Sequence, residues 1–190
     1  MGIFQALKNK KGKKLIEMVG NKYTAIVYSN TTINPVLKDW CMLSFPTVEL
    51  TSEFIIKNYN GSLDDTKIEK GFNEILNFLL FFTLISYGDS FTGATKTYSK
   101  YAALKDIGEI FKFNKTYNRF QSFEELYNKN NGRKISEESE LLLSSYINEG
   151  GLSVANLSKN LHEDFLLFFM GTLMTYDNFL KVRYPFLKRT

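Results

Sequence analysis

The stretch Phe78-Leu79-Leu80-Phe81-Phe82 recurs, letter for letter, as Phe165-Leu166-Leu167-Phe168-Phe169. Large apolar residues at every position leave no polar face to turn toward water, and neither copy alternates as a half-exposed strand would. Before the first copy, Ile68, Phe72, Ile75 and Leu76 fall at helical spacing. Both strings therefore read as helices buried on several sides. The expected fold is all-α: one irregular bundle of six to eight helices around two central Phe-rich helices. Each string is followed by a polar aromatic stretch, Ser86-Tyr87-Gly88-Asp89 and Thr175-Tyr176-Asp177-Asn178. Shared core composition in a Phe- and Leu-rich chain accounts for this repetition without a duplicated hairpin. Neither apolar run reaches the ~20 residues that a membrane-spanning helix needs.

Working outward, the first copy belongs to a helix opened by a capping box at Ser62 and Asp65 and closed at Gly88. Asn34-Pro35 begins the helix before it, which Phe45-Pro46 kinks or restarts and Asn60-Gly61 ends. Further helices are expected over Lys96–Phe113, from Ser122, from Ser136, and from Ser153 to Tyr184-Pro185. Residues 1–30 form a basic segment of helix plus connector, with a possible short strand at Tyr23–Tyr28, where β-branched and aromatic residues gather. Residues 31–190 form the helical domain.

The composition is that of a globular protein, 44% hydrophobic and 23% charged, which excludes wholesale disorder. Lys, Asn, Ile, Phe and Tyr are abundant, as A+T-rich codons supply, and this points to a low-GC bacterium or its phage. A net charge of +4 is too small to imply a nucleic-acid partner. Cys41 stands alone, so it can form neither an internal disulfide nor a cysteine-based zinc site, and a reducing cytoplasm is the expected setting. The segment after the basic N-terminus contains Glu17, Asn21 and Lys22 and is no signal-peptide core. Ala6 stands where a myristoylation signal has Ser or Thr.

Gly88-Asp89-Ser90-Phe91-Thr92-Gly93 resembles the nucleophile block of the GDSL-type serine esterases, and that resemblance implies Ser90 as a nucleophile. The chain departs from that family elsewhere. Its segment before the serine reads as a helix rather than a strand, and no downstream Gly-x-Asn-Asp block is found. The family's base is the histidine of an Asp-x-x-His, whereas Lys159 stands three places before the sole histidine, His162. Serine without a base is a weak nucleophile, so the hydrolase reading is kept only as an alternative. His162-Glu163-Asp164 cannot converge on a metal, because neighbours on a helix point about 100° apart. Gly151–Leu161 resembles the opening of a bacterial helix-turn-helix. The recognition helix would be Phe165–Met174, which has no Arg, Lys, Asn or Gln to read base edges.

No metal, cofactor or small-molecule substrate is called for, and the sequence reads as a non-enzymatic protein-binding module. An immunity, inhibitor or anti-defence protein of a bacterium or phage, acting on a protein partner, fits that profile. Candidate contact residues are Phe4, Lys8, Lys10, Lys11, Lys13 and Lys14 at the N-terminus, Tyr117, Arg119 and Phe120 in the middle, and Tyr184 and Phe186 near the C-terminus. The N-terminal set also suits peripheral contact with the inner face of an anionic membrane, apolar side down and lysines toward the headgroups.

Overall fold

A computed structural model describes the backbone of residues 3–92, 100–112 and 115–186, and the side chains of 10–88, 102–112 and 115–186. Among the described residues there are seven α-helices: α1 (Ile3–Ser29), α2 (Pro35–Lys57), α3 (Asp65–Thr92), α4 (Lys100–Phe111), α5 (Thr116–Lys129), α6 (Ile135–Glu149) and α7 (Leu161–Arg183). The fold is an all-α bundle, and α3 is its hub. Every residue from Glu74 to Leu84 is buried, because α1, α2, α4, α5 and α6 all pack against α3. The Phe78 ring meets Phe123 of α5 and Phe169 of α7 edge-on, each at 5.1 Å between centroids. The two repeated strings thus touch in the core.

They are not enclosed equally. Helix α7 packs on α2 and α6 through Leu161, Phe165, Phe169, Leu173, Tyr176 and Leu180, all buried. Its far side has no neighbour among the described residues, and Leu167, in the middle of the repeated string, is 73% exposed. A fully apolar string fits either position, since it records what a helix can bury and not how many helices are available to cover it.

The short strand expected at Tyr23–Tyr28 is absent, and those residues lie inside α1. Ile16, Val19, Tyr23 and Val27 recur every three or four residues and are all buried. Tertiary packing of that stripe outweighs the weak β preference of the residues between. These side chains join the same apolar cluster as the rest of the chain, with Tyr23 stacked on Phe111 of α4 at 4.8 Å. No strand occurs among the described residues. The backbone of Tyr59 does bridge Leu157, with Asn60 N–H donating to the Asn156 carbonyl at 2.6 Å and Ser158 N–H to that of Asn58 at 2.9 Å.

Helix stops are more legible than starts. Helix α2 ends at Lys57, just before Asn60-Gly61, and α7 at Arg183, just before Tyr184-Pro185, whereas α5 begins at Thr116 rather than Ser122 and α7 at Leu161 rather than Ser153. Asn34 Oδ1 accepts the Val36 N–H at 2.9 Å, with Pro35 at the first helical position. Pro46 does not break α2; it lies exposed, and the helix runs through it. The cap of α3 is Asp64, whose carboxylate takes the Lys67 N–H at 2.9 Å, rather than Ser62. Gly88 breaks the path of α3 at φ 39°, in the region that glycine alone enters freely. Gly151–Asn160 holds no α-helix, only one 3₁₀ turn, Val154–Asn156, and the backbone bridge to Tyr59, and Leu161 already opens α7.

One buried polar cluster joins three helices. Trp40 Nε1 donates to Thr83 Oγ1 at 3.1 Å, and the Tyr176 hydroxyl lies 3.2 Å from Thr83 Oγ1 and 3.0 Å from Ser44 Oγ. Each hydroxyl has a partner, as burial demands. Burial pushes the Tyr176 hydroxyl well above the usual tyrosine range, so it remains a neutral donor.

Candidate functional site

The sequence between α5 and α6, Asn130-Asn131-Gly132-Arg133, turns the chain through Asn131 and Gly132, both at positive φ, and delivers Arg133 to the face of α3. There the guanidinium lies over the Phe82 ring, 4.2 Å from its centroid. It donates to Glu138 Oε2 at 2.6 Å, while the Glu138 side chain is 1% exposed. A second nitrogen reaches Ser86 Oγ at 3.4 Å. Beside this group opens a groove of about 380 Å³ walled by Phe82, Ile85, Tyr127, Ile135, Met170 and Met174. Asp177 also lines it, accepting a hydrogen bond from the Tyr87 hydroxyl and pairing with Lys181 Nζ at 2.6 Å.

Both charges in this lining are therefore matched within the protein: Arg133 by Glu138, and Asp177 by Lys181. What the groove leaves open is apolar area. Met170 is 40% and Met174 68% exposed, and unbranched thioether side chains reshape readily around a partner. Exposure of apolar residues is concentrated on α7, whose Met170 and Met174 line the groove. Of the eleven large hydrophobics exposed among the described residues, five lie on α7: Leu167, Met170, Met174, Phe179 and Val182.

The residues singled out from the sequence are scattered over the fold. Phe4 and Lys8 lie outside the described side chains. Lys10, Lys11, Lys13 and Lys14 are exposed on α1, with Lys13 at 4.0 Å from Glu53. Tyr117 is half-exposed on α5, whereas Phe120 is 2% exposed and edge-on to Phe81, so its ring cannot serve as a contact anchor. Arg119 is engaged inside the protein. Its Nη2 donates to Glu149 at 2.6 Å, and its Nε lies 2.9 Å from the buried Glu74 carboxylate in an ion pair without hydrogen-bond alignment. Tyr184 is likewise buried, its hydroxyl on Asp39 at 2.8 Å, and only Phe186, packed at its edge, stays half-exposed. The groove brings none of these residues together.

No known family, curated protein or solved structure matches this chain.

The chemistry must therefore come from the geometry alone. Among the described residues no group of His, Cys, Asp and Glu side chains is placed to hold a metal ion, and no helix is long and apolar enough to cross a membrane. The Ser90 side chain lies outside the described residues, and His162 is exposed at the start of α7. Cys41 is fully buried, and burial raises its thiol far above the range in which it would react. The residues of the groove went unrecognised in the sequence for a simple reason. Met170 and Met174 lie in the Phe165–Met174 stretch, which reads as core, and Arg133 belongs to no motif. The one usable signal was that α7 carries two apolar stripes, of which a helix at the edge of a bundle can bury only one.

Proposed function

We propose that the protein is a non-enzymatic interaction module that seats an apolar element of a protein partner in the groove between α3, α5, α6 and α7. The observation that carries this reading is an open apolar groove whose charges are already paired. An occupant needs no charge of its own, and the apolar face of an amphipathic helix suits such a lining. The A+T-rich residue usage supports a bacterial or phage origin, and an immunity, inhibitor or anti-defence role in the cytoplasm is the biological form we attach to it. Neither a metal nor a cofactor enters this proposal.

The test uses the full chain as bait in its host lysate, with the captured protein then purified and titrated against it. Ile135→Glu places a charge in the groove wall at the first turn of α6, where an acid does not oppose the helix dipole. It is expected to weaken binding at least about 30-fold, the loss of about 2 kcal/mol that marks an interface anchor. Leu50→Glu, on the exposed part of α2, should bind as the parent does. Equal binding by Ile135→Glu, with its helical circular dichroism intact, would remove the groove from the mechanism. Labelling by a fluorophosphonate probe that disappears in Ser90→Ala would replace this reading with a serine hydrolase.

The exposed lysines of α1 favour a second reading, contact with an anionic membrane surface. Among the described residues of this helix, the lysines would carry that contact, because Ile16 and Val19 are committed to the core. Flotation with phosphatidylserine vesicles that is lost when Lys10, Lys11, Lys13 and Lys14 are changed to Glu would support it.

A further inference from the structure

We infer that the outer face of α7 is a self-association surface, on which a second copy of this chain packs its own α7 antiparallel. Leu167, Gly171, Met174 and Asn178 follow one another in steps of four, three and four, the spacing of a helix–helix seam. All are exposed, and the stripe continues to Val182, which is 81% exposed. It lies opposite the buried stripe of the same helix and has no partner among the described residues.

Charge selects the occupant. The first turn of α7 carries Glu163 and Asp164, and its last turn carries Lys181 and Arg183. Lys181 and Arg183 hold Asp177 and Asp39 respectively, yet their side chains remain 44% and 58% exposed. An antiparallel second copy would set each acidic end against a basic end and oppose the two helix dipoles. A parallel copy would set like against like. An anionic lipid surface is disfavoured for the same reason, since Glu163 and Asp164 would face it.

The register that aligns these ends places Asp164 opposite Lys181, Leu167 opposite Asn178, and Gly171 opposite Met174 of the other copy. In that register Met174 fills the hollow that Gly171 leaves, once from each side of the two-fold axis. A Cβ added at Gly171 would meet nothing within 4 Å in the single chain, so this hollow opens only outward. The surface is self-complementary, as a two-fold interface requires. The helix is about 34 Å long and ~10 Å wide, so it offers far less than the roughly 800 Å² per partner of a standard stable complex. The dimer is therefore reversible and depends on protein and salt concentration.

Sedimentation of the full chain tests the inference directly. The mass should climb from 22.0 kDa toward twice that value as concentration rises, and less so in high salt. Gly171→Arg should stay at 22.0 kDa and melt no lower than the parent, because its side chain enters open space. Cys41 is buried, so only introduced cysteines react. Under mild oxidation, a mixture of Leu167→Cys and Asn178→Cys chains should yield the mixed disulfide in preference to either homodisulfide. A wild-type chain that remains monomeric at every concentration would overturn the inference. So would a Gly171→Arg dimer, a dominant Leu167→Cys homodisulfide, or a monomer that floats with phosphatidylserine vesicles through this face. Met174 belongs to both surfaces, so the two are told apart by Ile135→Glu, which changes no seam residue, and Gly171→Arg, which changes no groove-lining residue.

Discussion

Asp39 accepts hydrogen bonds from Arg183 Nε at 2.8 Å, Arg183 Nη2 at 2.6 Å and the Tyr184 hydroxyl at 2.8 Å. The Arg183 bonds are the chief reason its carboxyl is held below the usual range; partial burial opposes them, and Tyr184 reinforces them. A carboxylate whose pKa is lower in the folded than in the unfolded chain stabilises the fold above its ordinary value of 3.8. That contribution fades as pH falls through the lower, folded value. Asp39→Asn should therefore melt earlier than the parent at neutral pH and converge with it in strong acid. The fluorescence of Trp40, buried next to it in the chain, would follow the transition. Equal melting at neutral pH would show that the cluster at the end of α7 adds nothing.

Helix contacts decide what a given residue type is worth. At Gly71, α3 passes so close to α6 that a Cβ would press into the Tyr146 ring well inside van der Waals contact, and that ring is fully buried. Gly71→Ala should cost about 2 kcal/mol, the usual penalty for overpacking a core. At Gly171 the same substitution meets open space, and the better helix propensity of alanine should add up to about 1 kcal/mol. Chemical denaturation of the two variants, at concentrations where the chain is monomeric, would reveal the opposite signs. Such differences set the limit of what could be read in advance. Asn34-Pro35 announced a helix start because its capping chemistry is local, and the string at Phe78 announced burial because it has no polar side. Tyr23–Tyr28 misled because its local preference and its long-range packing disagree. The groove stayed hidden because Arg133, Met170 and Phe82 come from three separate elements, and only their packing makes them neighbours.

For the whole molecule, the chief consequence is that the basic N-terminal segment is not a detachable tail. Ile16, Val19, Tyr23 and Val27 are among the most buried residues of the chain and pack in the same cluster as α3. Removing residues 1–30 should therefore unfold the protein rather than trim it, with loss of the cooperative melting transition and a fall in helical circular dichroism beyond the share of α1. A truncated chain that still melts cooperatively would show that α1 is dispensable. Any question about its lysines is better asked by reversing their charge than by cutting them away.

The continuous burial of Glu74–Leu84 in α3 also bears on how the protein is made. Synthesis delivers α1, α2 and α3 first, and these can cover only part of the Phe78–Phe82 string. The rings that close over it, Phe120 and Phe123 of α5 and Phe169 of α7, emerge later from the ribosome. For that interval the most apolar segment of the nascent chain lacks part of its native shelter. It is then a ready substrate for chaperones and the point at which slow or interrupted translation would favour aggregation.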